Sequence, residues 1–256
     1  MQKNGLVESR ERAKRLIVNG DVAVAGEVIR KPSFEVGEGL EVTVKEAQFV
    51  GRGGEKLAAA LQLFEIDPAG KRALDIGASI GGFTDCLLQS GALSVVAVDA
   101  GTGQLHPKLI NDARIKNVEK YNARNLSPAD VGVAELAVMD VSFISQTYIL
   151  PRIADVVTEG GYLISLIKPQ FEAGRGALNK QGIVRECKDR IFAVARVLAA
   201  AESEGLYCVG LAPSPILGGD GNEEFLACFC VQGAPVSNAH INIEKTVKEK
   251  VVIRIK

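Results

Sequence analysis

Four ionisable side chains sit where apolar runs of this sequence begin or end, and together they could handle a proton. Asp140 closes the run Val138-Met139. Lys168 closes Leu166-Ile167, and Pro169 then takes the chain out of any strand. Lys56 opens a helical stretch within Gly51-Arg52-Gly53-Gly54-Glu55-Lys56-Leu57, and Glu224 opens an apolar run within Gly221-Asn222-Glu223-Glu224-Phe225. Each of these charges taken alone reads as a surface group. A glycine-rich break, Gly77-Ala78-Ser79-Ile80-Gly81-Gly82-Phe83-Thr84, gives them a context. It follows the run Leu74-Asp75-Ile76, and a second run, Ser94 to Val98, ends in Asp99. Strand, glycine turn, helix, strand and terminal acid form the layout of a nucleoside-cofactor site on an open parallel sheet. Ligands of such sheets bind beyond the carboxyl ends of the strands, so Asp140 and Lys168 are expected to converge near Gly77.

The glycine spacing bears on which cofactor. A dinucleotide fingerprint needs glycine at the middle of G-x-G, where the backbone approaches a pyrophosphate. Ser79 occupies that place. An Asp followed by Gly-x-x-x-Gly-Gly is similar to motif I of S-adenosylmethionine-dependent methyltransferases. That cofactor presents an ammonium, a carboxylate and a ribose, and no phosphate. The expected cofactor-binding residues are Asp75, Gly77, Ala78, Ser79, Gly81, Gly82, Phe83 and Asp99. Asp75 either orients the loop or holds the ammonium, and Asp99 accepts from the ribose hydroxyls. A purely structural turn in another α/β protein would use the same glycines, and Asp99 at the second strand end favours the cofactor. Beside a methyl donor, two lysines and two carboxylates suit methylation of a weakly acidic hydroxyl. A free lysine titrates at about 10.4. Burial and a second cation lower that value, while a carboxylate partner opposes the shift but fixes geometry. The expected roles are Lys168 as base, Lys56 as the neighbouring cation, and Asp140 and Glu224 as orienting groups.

These residues need elements to hold them. Arg72–Ile76, Val95–Val98, Ala134–Met139 and Tyr162–Ile167 read as buried parallel strands. Helices are expected over residues 54–64, 81–90, 145–157 and 186–204, and a closing strand pair over 207–212 and 225–231. Before residue 51 the texture differs. Ser9 can cap a helix to about Val18, followed by short segments at 22–25, 27–30 and 40–44 punctuated by glycine. The predicted fold class is α/β: a Rossmann-like methyltransferase sheet with helices on both faces, preceded by a small α+β domain. The expected domains are residues 1–46, residues 47–236 and an unassigned polar tail, 237–256.

Composition excludes several classes. The net charge is −1, so total charge does not announce a nucleic-acid partner. Residues 1–31 nevertheless carry seven Lys/Arg against four acids. The five cysteines, 86, 187, 208, 228 and 230, form no C-x-x-C pair, and with two histidines no metal spacing appears. The odd cysteine count fits a reducing cytoplasm, and no apolar run approaches a membrane span.

Seven segments then match one family in order: 52–57, 75–84, 101–105, 122–126, 140–145, 168–172 and 221–225. Together they resemble the TlyA family, whose members carry the names hemolysin and ribosomal RNA 2′-O-methyltransferase. The resemblance covers about residues 6–232. It implies an RNA-binding domain of the ribosomal protein S-four type, then a methyltransferase domain of the FtsJ/RrmJ group, with S-adenosylmethionine as cofactor. It also implies ribosomal RNA or ribosomal subunits as partners, with neither metal nor membrane required. Its Lys-Asp-Lys-Glu catalytic set falls on Lys56, Asp140, Lys168 and Glu224, with Glu223 the rival for the last place. Asn122 and Arg124 are implied beside the adenosine. RNA contact is expected at Arg10, Arg12, Lys14, Arg15 and Arg52. In the family a helix precedes Gly5, whereas four residues do so here, so that domain is expected to be shortened. The competing functions are a membrane-lytic hemolysin and an RNA-binding protein with an inactive methyltransferase fold.

Overall fold

A computed structural model describes residues 1, 5–7, 9–37, 39–44, 48–219, 221–232 and 237–255, without the side chains of Arg12, Arg15 and Asn19. The chain divides into two compact units, Met1–Gln48 and Phe49–Lys256.

The small unit has one helix, α1 (Arg10–Asn19), and three short strands: β1 (Val22–Val24), β2 (Glu27–Val28) and β3 (Val42–Val44). The strands are antiparallel in the order β2-β1-β3. Val22 and Val24 alternate inward on the central strand and are buried.

The large unit comprises α2 (Arg52–Phe64), β4 (Arg72–Ile76), α3 (Gly82–Gln89), β5 (Ser94–Val98), β6 (Ile115–Val118), α4 (Pro128–Val131), β7 (Ala134–Met139), α5 (Ile153–Val156), β8 (Val157–Ile167), α6 (Pro169–Glu172), α7 (Cys187–Ser203), β9 (Leu206–Pro213), β10 (Phe225–Val231), α8 (Ile243–Glu249) and β11 (Ile253–Arg254). Its eight strands run in the order β6-β5-β4-β7-β8-β10-β9-β11. The five from β6 to β8 are parallel; β10, β9 and β11 close the edge antiparallel. Leu136, Ala137, Val138 and Met139 are all fully buried, as a strand covered on both faces requires. One face packs on α2 and α3 through Leu57, Phe64, Phe83 and Leu87. The other packs on α5, α7 and α8 through Ile153, Val194, Val197 and Val247.

Three features differ from expectation. The helix expected over 145–157 is broken into 3-10 turns at Gln146–Tyr148 and Leu150–Arg152, with one α turn after them. Pro151 lacks the N–H that a continuous helix needs there. Strand β6 went unforeseen because only its end residues, Ile115 and Val118, are apolar, and it lies at the sheet edge. The tail is part of the sheet unit: β11 pairs with β9, Ile253 opposite Leu211. Buried Asn238 ties it down, accepting from Cys208 N and donating to Leu198 O and Leu206 O. Each such bond contributes about 1 kcal/mol net.

Candidate active site

The glycine turn leaves β4 and enters α3. The N–H groups of Gly77 and Ala78 both donate to Val98 O, which anchors the turn to the neighbouring strand. Gly77 has φ +88°, and a Cβ there would lie 2.7 Å from the Asp140 carbonyl oxygen, so only glycine fits. Ser79 also takes a left-handed φ of +49°. That turn aims its N–H at Asp99 Oδ2, 2.8 Å away, while Asp99 Oδ1 accepts from Gly101 N at 2.7 Å. Each oxygen of Asp99 keeps a further acceptor position.

Asp75 is fully buried. Its Oδ2 accepts from Thr84 Oγ1 at 2.6 Å, and its Oδ1 has no partner. Burial, opposed by the Thr84 hydrogen bond and reinforced by Asp140 and Asp99, pushes this carboxyl up to about 7. An unpaired buried carboxylate oxygen is costly, and a cationic donor would relieve it. Ala78 and Phe83 are buried, and the Phe83 ring lies against Gly53 of α2.

The four ionisable residues form two pairs. Lys168 Nζ lies 2.7 Å from Asp140 Oδ1 and donates to Ser142 Oγ at 2.7 Å. Asp140 Oδ1 receives no aligned hydrogen bond, so its contact with Lys168 is an ion pair. Lys56 Nζ donates to Glu224 Oε2 at 2.5 Å, with both side chains buried. Glu223, the rival for that place, instead faces Arg190 at 3.3 Å and Lys250. Topology brings the pairs to one end of the sheet. Phe225 lies opposite Ile167 in the β10–β8 ladder, which sets Glu224 beside Lys168. A Cβ on Gly53, in the first turn of α2, would lie 3.9 Å from Asp140 Oδ2.

Asn122 and Arg124 are exposed next to this end, since Tyr121 N donates to Asp99 O. Asn122 Oδ1 accepts from Arg124 N at 3.1 Å. Arg52 is exposed and donates to Leu217 O at 2.8 Å. In the small unit Arg10 and Lys14 are exposed on α1, whereas the side chains of Arg12 and Arg15 lie outside the described residues. Phe143, in the loop after β7, stands out in solvent. It is 93% exposed, holds φ +63°, and its ring stands 5.3 Å from that of Phe171. A bulky residue in that backbone region is strained, and nothing in the local sequence signals it. Thr84 and Ser142, polar residues within the glycine turn motif and the segment after β7, hold Asp75 and Lys168 respectively.

The FtsJ-like methyltransferase model matches residues 49–230, which is most of the chain. The chain belongs to the FtsJ-like methyltransferase family. An S4 domain model matches residues 2–42 of this family member. YqxC of Bacillus subtilis is 45% identical over 88% of the chain and 81% of its own length. The 16S/23S rRNA (cytidine-2'-O)-methyltransferase TlyA of Mycobacterium tuberculosis is 40% identical over 87% of the chain and 85% of its own. A solved Streptococcus thermophilus structure under the label hemolysin superposes with a TM-score of 0.79 at 42% identity, covering 97% of this chain and 92% of that one. Among the described residues no helix is long and apolar enough to cross a membrane.

Proposed function

We propose that this FtsJ-like methyltransferase uses S-adenosylmethionine to methylate a ribose 2′-hydroxyl of ribosomal RNA. The observation that carries the reading is the pairing of Lys168 with Asp140 and of Lys56 with Glu224 at the strand ends beside the glycine turn. The name of the Mycobacterium tuberculosis relative supports the choice of substrate and position.

The residues present fit the cofactor. The unpartnered Asp75 Oδ1 suits its ammonium. The remaining acceptor positions of Asp99 suit its ribose hydroxyls. Gly77, Ser79, Gly81 and Gly82 shape the turn against it, and Asn122 and Arg124 flank the adenine side. The bound cofactor supplies an electrophilic methyl group on a sulfonium. Lys168, as the neutral amine, would take the proton of the substrate hydroxyl as the new O–C bond forms and the methyl–sulfur bond breaks, and Asp140 and Ser142 hold Nζ in place. Lys56 supplies a second positive charge, and Glu224 fixes it. Positioning accounts for much of the rate. Phe143 offers its exposed ring to the base of the substrate nucleotide. Exposed Arg10 and Lys14 of the small unit contact phosphates, and so does exposed Arg52 of the large unit. Such an enzyme works in the cytoplasm, on rRNA or ribosomal subunits.

Labelled methyl transfer to ribosomal subunits from a strain lacking this gene tests the proposal. The labelled nucleotide is expected to resist alkaline cleavage on its 3′ side, because the 2′-oxygen is blocked. Label on a base, or none transferred, would overturn it.

A further inference from the structure

Glu172 is 1% exposed, in the short helix that follows Lys168. Its Oε2 accepts from Ser145 Oγ at 2.5 Å and its Oε1 from Gln146 N at 2.8 Å. Gln146 is buried in turn; its Nε2 donates to Leu166 O at 2.6 Å, and its Oε1 accepts from Ser165 Oγ at 2.6 Å. Arg196 of α7 donates to Glu172 O at 2.8 Å and fixes the end of α6. These bonds join two segments. One is residues 140–148, which carry Asp140 and Ser142. The other is β8 and α6, which carry Lys168. The Lys168 contacts bridge the same two segments on the solvent side. Burial pushes the Glu172 carboxyl up, against the hydrogen bonds from Ser145 and Gln146 and the charge of Arg196.

The geometry points to Glu172 as a positioning residue: it clamps the loop after β7 to the turn after β8 and so sets the distance between Asp140 and Lys168. Glu172 itself is buried and bonds to Ser145, Gln146 and Arg196, not to Asp140 or Lys168. The inference rests on the reaction proposed above. A glutamine at this position can keep both bonds, since its oxygen accepts from Gln146 N and the Ser145 hydroxyl rotates to accept from its amide. An alanine leaves Gln146 N buried and unpaired and leaves the Ser145 hydroxyl with Thr147 Oγ1.

The test compares Glu172→Ala and Glu172→Gln with wild type in steady-state methylation of ribosomal subunits. It adds S-adenosylhomocysteine calorimetry and amide hydrogen exchange. Glu172→Ala is expected to lower kcat by about 100-fold, the loss that a misplacement near 1 Å produces. Affinity for S-adenosylhomocysteine and KM for the RNA should hold, and exchange at residues 142–147 should speed up. Glu172→Gln should recover most of kcat and the slow exchange. Ser145→Ala cuts one strut of the same clamp and replaces Glu172→Ala if that variant does not fold. Wild-type kcat in the alanine variant, or parallel loss of kcat, KM and cofactor affinity without rescue by glutamine, overturns the inference. A wild type that transfers no methyl group overturns the reaction instead, and hydrogen exchange alone then decides whether the clamp exists.

Discussion

Glu224 directly precedes Phe225, which pairs with Ile167 next to Lys168 at the end of the β10–β8 ladder, yet its carboxylate is bound by Lys56, 168 residues earlier in the chain. Gly218 makes room for this arrangement: a Cβ there would lie 2.5 Å from Glu224 Oε1. The pair is buried on both sides. Breaking one half of such a pair costs about 3–5 kcal/mol, because the other charge is left buried and alone. Lys56→Met and Glu224→Leu are therefore each expected to lower the denaturant midpoint sharply. The double variant should recover much of that stability in a denaturation series and still fail to methylate RNA. Recovered activity in the double variant would count against any part for this pair in the reaction.

Asp75 predicts a proton linkage. Its folded carboxyl titrates near 7, well above the unfolded 3.8, because burial disfavours the charge. Between these values the folded protein binds more protons than the unfolded chain, so ligand-free stability falls as pH rises through that window and levels above it. An ammonium on Oδ1 favours the ionised form. Cofactor binding at pH 6 should thus release a proton, and affinity should rise up to about pH 7. Calorimetry in buffers of different ionisation enthalpy measures the release. Asp75→Asn should abolish it and weaken binding; unchanged release would refute the assignment.

Phe143 predicts a loss of activity without a loss of stability. Its ring is almost wholly exposed. Phe143→Ala should change unfolding free energy by no more than about 0.5 kcal/mol. Stacking of an aromatic ring on a base is worth about 1–3 kcal/mol, so kcat/KM for RNA should fall by about 10-fold to 100-fold. Phe143→Tyr should retain most of it. Equal loss with both substitutions would point away from stacking.

The small unit predicts salt dependence. Arg10 and Lys14 are exposed on α1. Removing one phosphate contact flattens the slope of log affinity against log salt by about 0.7–0.9. Filter binding of the rRNA substrate by Arg10→Ala and Lys14→Ala across a salt series should show that change. Cofactor binding should be untouched.

Much of the site is legible in the sequence because it depends on local spacing. The glycine turn between two apolar runs, the acid closing β5, and a lysine halted by Pro169 are each set within a few residues. Strand period and burial carried the parallel sheet as well, since its strands are continuous apolar runs. Where the local signal is weak, the sequence is silent. Ile115–Val118 shows two apolar residues at a half-exposed edge, and the polar tail is held by Asn238, β11 and buried Val247, contacts that no local pattern encodes.

By itself, the sequence determined which residue types stand at the strand ends and that the glycine turn departs from a dinucleotide fingerprint. Tertiary structure alone decided which carboxylate meets which lysine, that Asp75 keeps one oxygen unpaired, that Phe143 stands out in solvent, and that Glu172 spans two loops. These depend on ladder register and on packing between elements far apart in the chain. No periodicity within a single segment encodes such pairings; they exist only once the sheet has closed.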